Sequence, residues 1–279
     1  MTAANPLHDL LAEKGVLLAD GATGTNLFAM GLEAGEAPEL WNESQPEKID
    51  RLHQDFVDAG ADIILTNSFG GTRHRLKLHN AENRVFELNK RAAEIARAVA
   101  DRSPQKVIVA GSVGPTGELL MPLGAMTYED AVAAFAEQIE GLKAGGADLA
   151  WIETMSAADE IRAAAEAATK VGLPYTYTGS FDTAGKTMMG LDPKDIHAVA
   201  KDIGEGPVAT GANCGVGASD ILSSLLDMTA ADPQAITIVK GNCGIPEYRG
   251  AEIHYSGTPP LMAEYARLAR DAGARIIGG

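Results

Sequence analysis

Cysteine is scarce in this sequence: Cys214 and Cys243 are the only two thiols among 279 residues. Two thiols cannot form the disulfide framework that stabilises small secreted proteins. Histidine is sparse as well, and the six histidines include no His-x-His or His-x-x-x-His pair. This pattern argues against a zinc site built from histidines.

Basic residues are also few, with 23 Lys and Arg against 38 Asp and Glu and a formal net charge of −15. Nucleic acids and anionic membranes both need a basic face, so this acidic balance argues against either as a partner. No apolar run approaches the ~20 residues of a membrane span. Residues 1–9 lack the basic region and apolar core of a signal peptide. We therefore expect a cytoplasmic protein.

What the sequence does contain is a regular alternation of short apolar runs with segments of helical periodicity. The apolar runs lie at residues 16–20, 61–67, 106–115, 147–154, 174–181, 207–217, 235–243 and 274–279. The helical segments between them lie at 46–60, 80–100, 127–145, 157–171, 193–203, 220–228 and 259–272. Apolar runs without alternation indicate strands buried on both faces, as in a parallel sheet covered by helices. Eight such strands predict a single (β/α)8 barrel over residues 1–279, with a doubly wound open sheet as the alternative.

The end of the sequence departs from this pattern, because the eighth strand at 274–279 is followed by no eighth helix. We expect either a longer chain, truncated here after strand eight, or a partner that covers the outer face of that strand. A second copy of the chain is one such partner.

Polar residues gather where the predicted strands end, and in a barrel of this kind the chemistry lies at those carboxyl ends. Two carboxylates, several neutral hydrogen-bonding groups and two thiols suit an amino-acid ammonium group and a thiol-bound metal. They suit a phosphate poorly, because Lys240 is the only basic residue there and lies inside strand seven. The residues at these ends are Asp20, Asn67, Ser112, Glu153, Ser180, Asn213, Cys214, Asn242, Cys243, Gly278 and Gly279.

Each of these residues also has a structural interpretation. Asp20 precedes a glycine-rich turn that it could cap, and Glu153 could pair with a structural lysine or arginine. A lone cysteine such as Cys214 is more often a small buried apolar residue than a metal ligand. The segment 179–187 imitates a phosphate-binding loop, but five residues separate its glycines where that loop has four, so we predict a solvated hairpin.

Taken together, the strand ends resemble the homocysteine S-methyltransferase family. Six short pieces match in family order over nearly the whole chain, although each piece alone is weakly specific. The pieces are Asp20-Gly-Ala-Thr-Gly-Thr25, Gly60-Ala-Asp-Ile-Ile-Leu-Thr-Asn-Ser-Phe-Gly70, Gly111-Ser-Val-Gly-Pro-Thr116, Ile152-Glu-Thr154, Gly211-Ala-Asn-Cys214 and Ile276-Ile-Gly-Gly279. The family's fold is a (β/α)8 barrel.

The resemblance implies a Zn²⁺ ion held by three cysteine thiolates. Cys214 is one of them, and two further cysteines are expected directly after Gly279; Cys243 departs from the family pattern and could be a substitute ligand. Bound zinc would activate the homocysteine thiol for in-line attack on a methyl donor.

The resemblance also implies which residues bind the ammonium and carboxylate groups of homocysteine. Asp20 and Glu153 would hold its ammonium group, and the backbone N–H groups of Gly21 and Ala22, near Ser112, would receive its carboxylate. Asn213 would orient the metal loop.

The methyl donor stays open between betaine, S-methylmethionine and a methyl-corrinoid protein. A quaternary ammonium needs aromatic faces, of which Phe69 offers one. The pieces Asp20–Thr25 and Thr66–Gly70 look more like the homocysteine module of cobalamin-dependent methionine synthase. This sequence contains no cobalamin or folate domain, so a separate corrinoid protein would have to dock. Chains of this size are often betaine enzymes, and we favour betaine slightly. Two hypotheses of other classes remain: a phosphate-handling barrel aldolase or isomerase, with Cys214 buried away from the pocket, and a non-catalytic binding barrel.

Overall fold

The computed structural model describes residues 5–215, 217–244, 247–249, 252–254 and 256–279, with 247–249 and 252–254 described through their backbone alone. Val216, which belongs to the predicted strand at 207–217, lies outside the described residues. In the described part of the chain, no helix is both long and apolar enough to cross a bilayer.

Eight parallel strands form the barrel. They are β1 (Leu17–Leu18), β2 (Ile63–Leu65), β3 (Ile108–Val113), β4 (Leu149–Met155), β5 (Tyr175–Gly179), β6 (Thr210–Cys214), β7 (Thr237–Gly241) and β10 (Ile276–Gly278). Their order is β1-β10-β7-β6-β5-β4-β3-β2, and a bridge between Ala19 and Ile63 joins the two ends. This closure confirms the predicted barrel and rules out the open sheet. The strands β8 (Glu247–Arg249) and β9 (Glu252–His254) pair as a separate antiparallel hairpin.

Helices surround the barrel. They are α1 (Pro6–Lys14), α2 (Thr23–Ala29), α3 (Trp41–Ser44), α4 (Pro46–Asp58), α5 (Arg73–Leu76), α6 (Val85–Arg102), α7 (Tyr128–Ala144), α8 (Ala158–Val171), α9 (Ala218–Ala231) and α10 (Pro259–Asp271). Short 3₁₀ helices lie at Pro38–Leu40, Lys77–His79, Glu82–Arg84 and Pro193–Ala198. Six of the seven predicted helical segments are thus confirmed. The predicted hairpin at 179–187 is also present, as an antiparallel bridge between Thr183 and Lys186.

The predicted helix at 193–203 is the exception, and Tyr177 explains it. Its hydroxyl donates to the carbonyl oxygen of Ile196 at 2.9 Å and accepts from the N–H of Ala200 at 3.2 Å. An α-helix would join that oxygen and that N–H directly. The tyrosine therefore occupies the place of the helical bond, and only the 3₁₀ turn forms.

Two apolar layers hold the barrel together. The inner layer contains the fully buried Trp151, and α1 closes the amino-terminal end of the barrel with Leu7, Leu10 and Leu11. The outer layer lies between strands and helices and includes Ile277 of β10, which is 3% exposed. Leu18, which pairs with Ile277 from the neighbouring strand β1, is 45% exposed. We predicted an uncovered outer face on strand eight, and the structure shows the exposed apolar side chain on β1 instead.

The close approach of β6 to β7 requires glycine at position 211. A Cβ on Gly211 would lie 1.9 Å from the carbonyl oxygen of Ile238, which belongs to the barrel backbone and cannot move aside. We expect Gly211→Ala to lower the free energy of unfolding by about 1–3 kcal/mol. Urea unfolding followed by circular dichroism measures this change.

Gly24→Ala is the matched control, because nothing lies within 4 Å of a Cβ there and the residue is inside α2. Alanine is favoured over glycine in helices, so this variant should be at least as stable as the native protein. Equal losses in both variants would contradict the argument.

Candidate active site

A cavity of about 660 Å³ opens at the carboxyl ends of the strands. It brings together almost all of the residues predicted from the sequence: Gly21, Ala22, Ser112, Glu153, Asn213 and Cys214 line it. Asp20 lies just beneath the floor and is 3% exposed. A phosphate-handling barrel enzyme would have Cys214 buried away from the pocket. Cys214 lines the cavity instead, which argues against that alternative.

Cys214 ends β6 in a strained backbone conformation. Its φ is +61°, and Thr154, at the end of β4, has the same φ. Residues other than glycine rarely adopt this left-handed conformation, and for a β-branched threonine it is an outlier. Such strain persists only where the surroundings enforce it, and it concentrates at functional sites.

Asn213 holds both strained residues in place. Its Oδ1 accepts from the N–H of Thr154 at 2.8 Å and from the hydroxyl of Thr178 at 2.6 Å. Its Nδ2 donates to Thr154 Oγ1 at 2.7 Å and to Cys214 Sγ at 3.1 Å. Every hydrogen-bonding group of this side chain is used, so the sulfur is presented in a fixed direction.

Glu153 and Ser112 form the next pair along the floor. The hydroxyl of Ser112 donates to Glu153 Oε1 at 2.5 Å. Burial raises the pKa of Glu153, while the charge of Lys240 and the hydrogen bond from Ser112 act in the opposite direction. Burial and the charge of Glu153 also raise the pKa of Cys214. A cationic ligand beside Glu153 would offset both effects.

Lys240 is the residue whose role the sequence analysis missed. Its Nζ donates to Asp20 Oδ1 at 2.8 Å, and Asp20 Oδ2 accepts from the N–H of Leu65 at 2.7 Å. Burial alone would lower the pKa of Lys240, but the charges of Asp20 and Glu153 outweigh it and the pKa is raised. The sequence did contain a signal for this pair: Lys240 is the single lysine in an otherwise apolar strand, and a buried charge needs a partner of opposite charge.

The thiol set in the structure is incomplete for zinc. Cys214 and Cys243 both line the cavity, but the described residues contain no group of three or more Cys, His, Asp or Glu placed to hold a metal. A catalytic zinc takes three protein ligands and one open position. Cys214 therefore fits one ligand position and cannot hold the ion by itself.

Known proteins resemble this chain in sequence and in fold. A family model described as homocysteine S-methyltransferase matches residues 17–279. The methionine synthases of Mycobacterium tuberculosis and Mycobacterium leprae are 29% and 28% identical over the whole of this chain. The chain spans about a quarter of the length of these curated relatives, 25% and 24%.

Solved structures of the homocysteine methyltransferase MmuM from Escherichia coli are also similar. The oxidized form is 28% identical, with a TM-score of 0.80, and covers 99% of this chain and 94% of its own. The metallated form is 27% identical over the same shares, with a TM-score of 0.81.

The ion pair between Lys240 and Asp20 can be tested by stability. We expect Lys240→Met to lower the free energy of unfolding by about 3–5 kcal/mol, because it leaves the carboxylate of Asp20 buried without a cation. The double variant Asp20→Asn, Lys240→Met should regain part of this loss, since no charge is then left unpaired. Urea unfolding measures all three proteins.

Lys186→Met is the control, because the ion pair of Lys186 with Asp192 spans a similar distance, 3.0 Å, but its side chains are 51% and 32% exposed. Its loss should cost about 0–1 kcal/mol. Equal effects at the two lysines would show that the buried pair is not special.

Proposed function

Because the chain belongs to the homocysteine S-methyltransferase family, we propose that it transfers a methyl group to the thiol of homocysteine, giving methionine. The observation that carries this proposal is the shared cavity. The sulfur of Cys214 opens into the same space as the carboxylate of Glu153, with the cation of Lys240 beside them. A thiol-binding group and both signs of charge are what a thiol-bearing amino acid requires.

Homocysteine binds along the cavity floor in this proposal. Glu153 holds its ammonium group, and Asp20 adds negative charge from below. The N–H groups of Gly21 and Ala22 receive its carboxylate, with Ser112 fixing the carboxylate of Glu153. Backbone amides in turns form anion-binding nests, which supports this placement.

Zinc is proposed as the cofactor. The thiol of free homocysteine, like any thiol with a pKa of about 8.5, is mostly protonated at neutral pH. Bound zinc would favour the thiolate form of homocysteine, which can attack the methyl group of the donor. Cys214 would be one ligand; the family's other two thiolates follow its closing Gly-Gly pair, which here is Gly278–Gly279. Asn213 orients the Cys214 sulfur, and Glu153 keeps the amino-acid end of homocysteine at a fixed distance from it.

The donor is proposed to be a small molecule, and betaine is favoured over S-methylmethionine and a methyl-corrinoid protein. The methyl carbon breaks its bond to the donor nitrogen, which keeps the electron pair and leaves as a neutral amine. The same carbon bonds to the homocysteine sulfur in line. The exposed ring of Phe69 in the cavity wall supports a donor that carries an onium group, as betaine does.

Cys214→Ser tests the metal assignment. We expect the variant, expressed in and purified from the native organism, to lose bound zinc and methionine formation together. The reason is that a serine hydroxyl is a poor zinc ligand at neutral pH. Metal analysis and a methionine assay are the measurements. Cys243→Ser is the matched control, because Cys243 lines the same cavity. Zinc loss in this control, with zinc retained in Cys214→Ser, would reverse the ligand assignment.

Glu153→Gln tests the substrate assignment separately from the metal. Loss of a charged hydrogen bond should raise the KM for homocysteine by about 10–100-fold and leave zinc content unchanged. Steady-state kinetics and metal analysis measure the two effects.

Glu160→Gln is the control for that experiment, because Glu160 is a buried carboxylate outside the cavity, bonded to Thr116 at 2.9 and 2.7 Å. Its KM for homocysteine should stay at the native value. An unchanged KM in Glu153→Gln would remove Glu153 from the substrate site.

A further inference from the structure

Three buried side-chain amides support the loop after β2. They come from α3, α6 and α7, are 0% or 1% exposed, and each donates to a different carbonyl oxygen of that loop. The pairs are Asn42 with Asn67 at 2.9 Å, Gln138 with Ser68 at 2.7 Å, and Asn89 with Gly71 at 2.9 Å. Three helices outside the barrel therefore fix the path of one loop that lines the cavity.

Gln138 also reaches strand β3. Its Nε2 donates to the carbonyl oxygen of Ser112 at 3.3 Å, and the hydroxyl of Ser68 donates to the same oxygen at 2.8 Å. The N–H of Ser112 is held as well, because it donates to Thr66 Oγ1 at 3.0 Å. Side chains thus fix both backbone polar groups of Ser112 before any ligand binds.

Ser112 connects this support to the substrate site. Its hydroxyl donates to Glu153 Oε1 at 2.5 Å, and Glu153 is the proposed partner of the homocysteine ammonium group. Groups that hold a binding residue from behind determine how precisely it meets its ligand. A continuous path of hydrogen bonds therefore runs from Gln138, through Ser112, to the carboxylate of Glu153.

The amide of Gln138 contributes only its N–H groups. Its Oε1 is buried and has no hydrogen-bond partner among the described residues. A buried polar atom without a partner is destabilising, and an apolar side chain of the same length would avoid that effect. Packing alone therefore does not account for a glutamine at this position, whereas its two bonds to carbonyl oxygens do.

We propose that Gln138 is a positioning residue for homocysteine. Acting with Ser68 on the carbonyl oxygen of Ser112, it fixes the hydroxyl of Ser112 and, through it, the carboxylate that binds the ammonium group. Gln138 is 0% exposed and is not among the residues that line the cavity, so it acts through Ser112 and not on the substrate itself. This role rests on the proposed methyl transfer to homocysteine.

The role has a kinetic signature. The ammonium group of homocysteine keeps its charge throughout the methyl transfer, so Glu153 contacts it equally in the bound state and in the transition state. Interactions of this kind act on KM and leave kcat unchanged. A misplaced Glu153 should therefore raise the KM for homocysteine. A general loss of folded protein would instead lower the apparent kcat at an unchanged KM.

Gln138→Met tests the proposal, because it keeps the length of the side chain and removes its N–H donors. We expect the KM for homocysteine to rise by about fivefold, with kcat within about twofold of the native value and zinc content unchanged. Steady-state kinetics and metal analysis are the measurements. The methyl donor is whichever of betaine, S-methylmethionine and a methylated corrinoid protein gives methionine with the native protein.

Asn89→Leu is the matched control. Asn89 is 1% exposed, its Oδ1 also has no partner in the described part of the chain, and its Nδ2 holds a carbonyl oxygen of the same loop. Its second bond goes to Val85 within α6, at 2.7 Å, and so leads away from Ser112. Urea unfolding should show comparable losses of stability in the two variants, but the KM for homocysteine should rise only in Gln138→Met.

The positioning role is overturned if Gln138→Met keeps a KM for homocysteine within about twofold of the native value, or if Asn89→Leu raises it equally. Should Gln138→Met fail to fold, Ser68→Ala decides, because it removes the other donor to the carbonyl oxygen of Ser112. The same selective rise in KM then supports the role, and an unchanged KM overturns it.

The native protein separates this role from the methyl transfer. Methionine formation by the native protein, with an unchanged KM in Gln138→Met, overturns the positioning role alone. If the native protein forms no methionine from homocysteine with any of the three donors, the methyl transfer is overturned and the positioning role falls with it.

Discussion

The site depends on the carboxylate of Asp20, which ties three strands together at the floor of the barrel. One oxygen receives the N–H of Leu65 on β2, the other receives Lys240 on β7, and Asp20 itself follows β1. These contacts lie beside the bridge that closes the barrel between β1 and β2. In a water-poor interior such a pair holds only when both charges are present. The position of Lys240 therefore follows from barrel closure.

The strain at Thr154 and Cys214 is a second consequence of this architecture. Thr154 lies at an irregularity near the end of β4 and Cys214 ends β6, both with φ near +61°, and one amide, that of Asn213, is bonded to both. Asn213 keeps both backbone conformations from relaxing and donates to the sulfur that lines the cavity. Strain of this kind, held by a satisfied polar network, gives a rigid site rather than an adaptable one.

The barrel was predictable from the sequence because its signal is local. An apolar run such as 106–115 or 147–154 shows its two-sided burial without reference to any other segment. The helix at 193–203 was wrongly predicted because the residue that prevents it, Tyr177, lies on a preceding strand. The floor residues could be named from strand ends, but the pairing of Asp20 with Lys240 joins residues 220 positions apart.

Helix α1 decides how a ligand can reach the cavity. In the described part of the chain, Leu7, Leu10 and Leu11 fill the amino-terminal end of the barrel, and the cavity opens at the carboxyl ends of the strands. A ligand on the cavity floor, beside Cys214 and Glu153, therefore has to enter and leave through the same mouth as any ligand that lies above it.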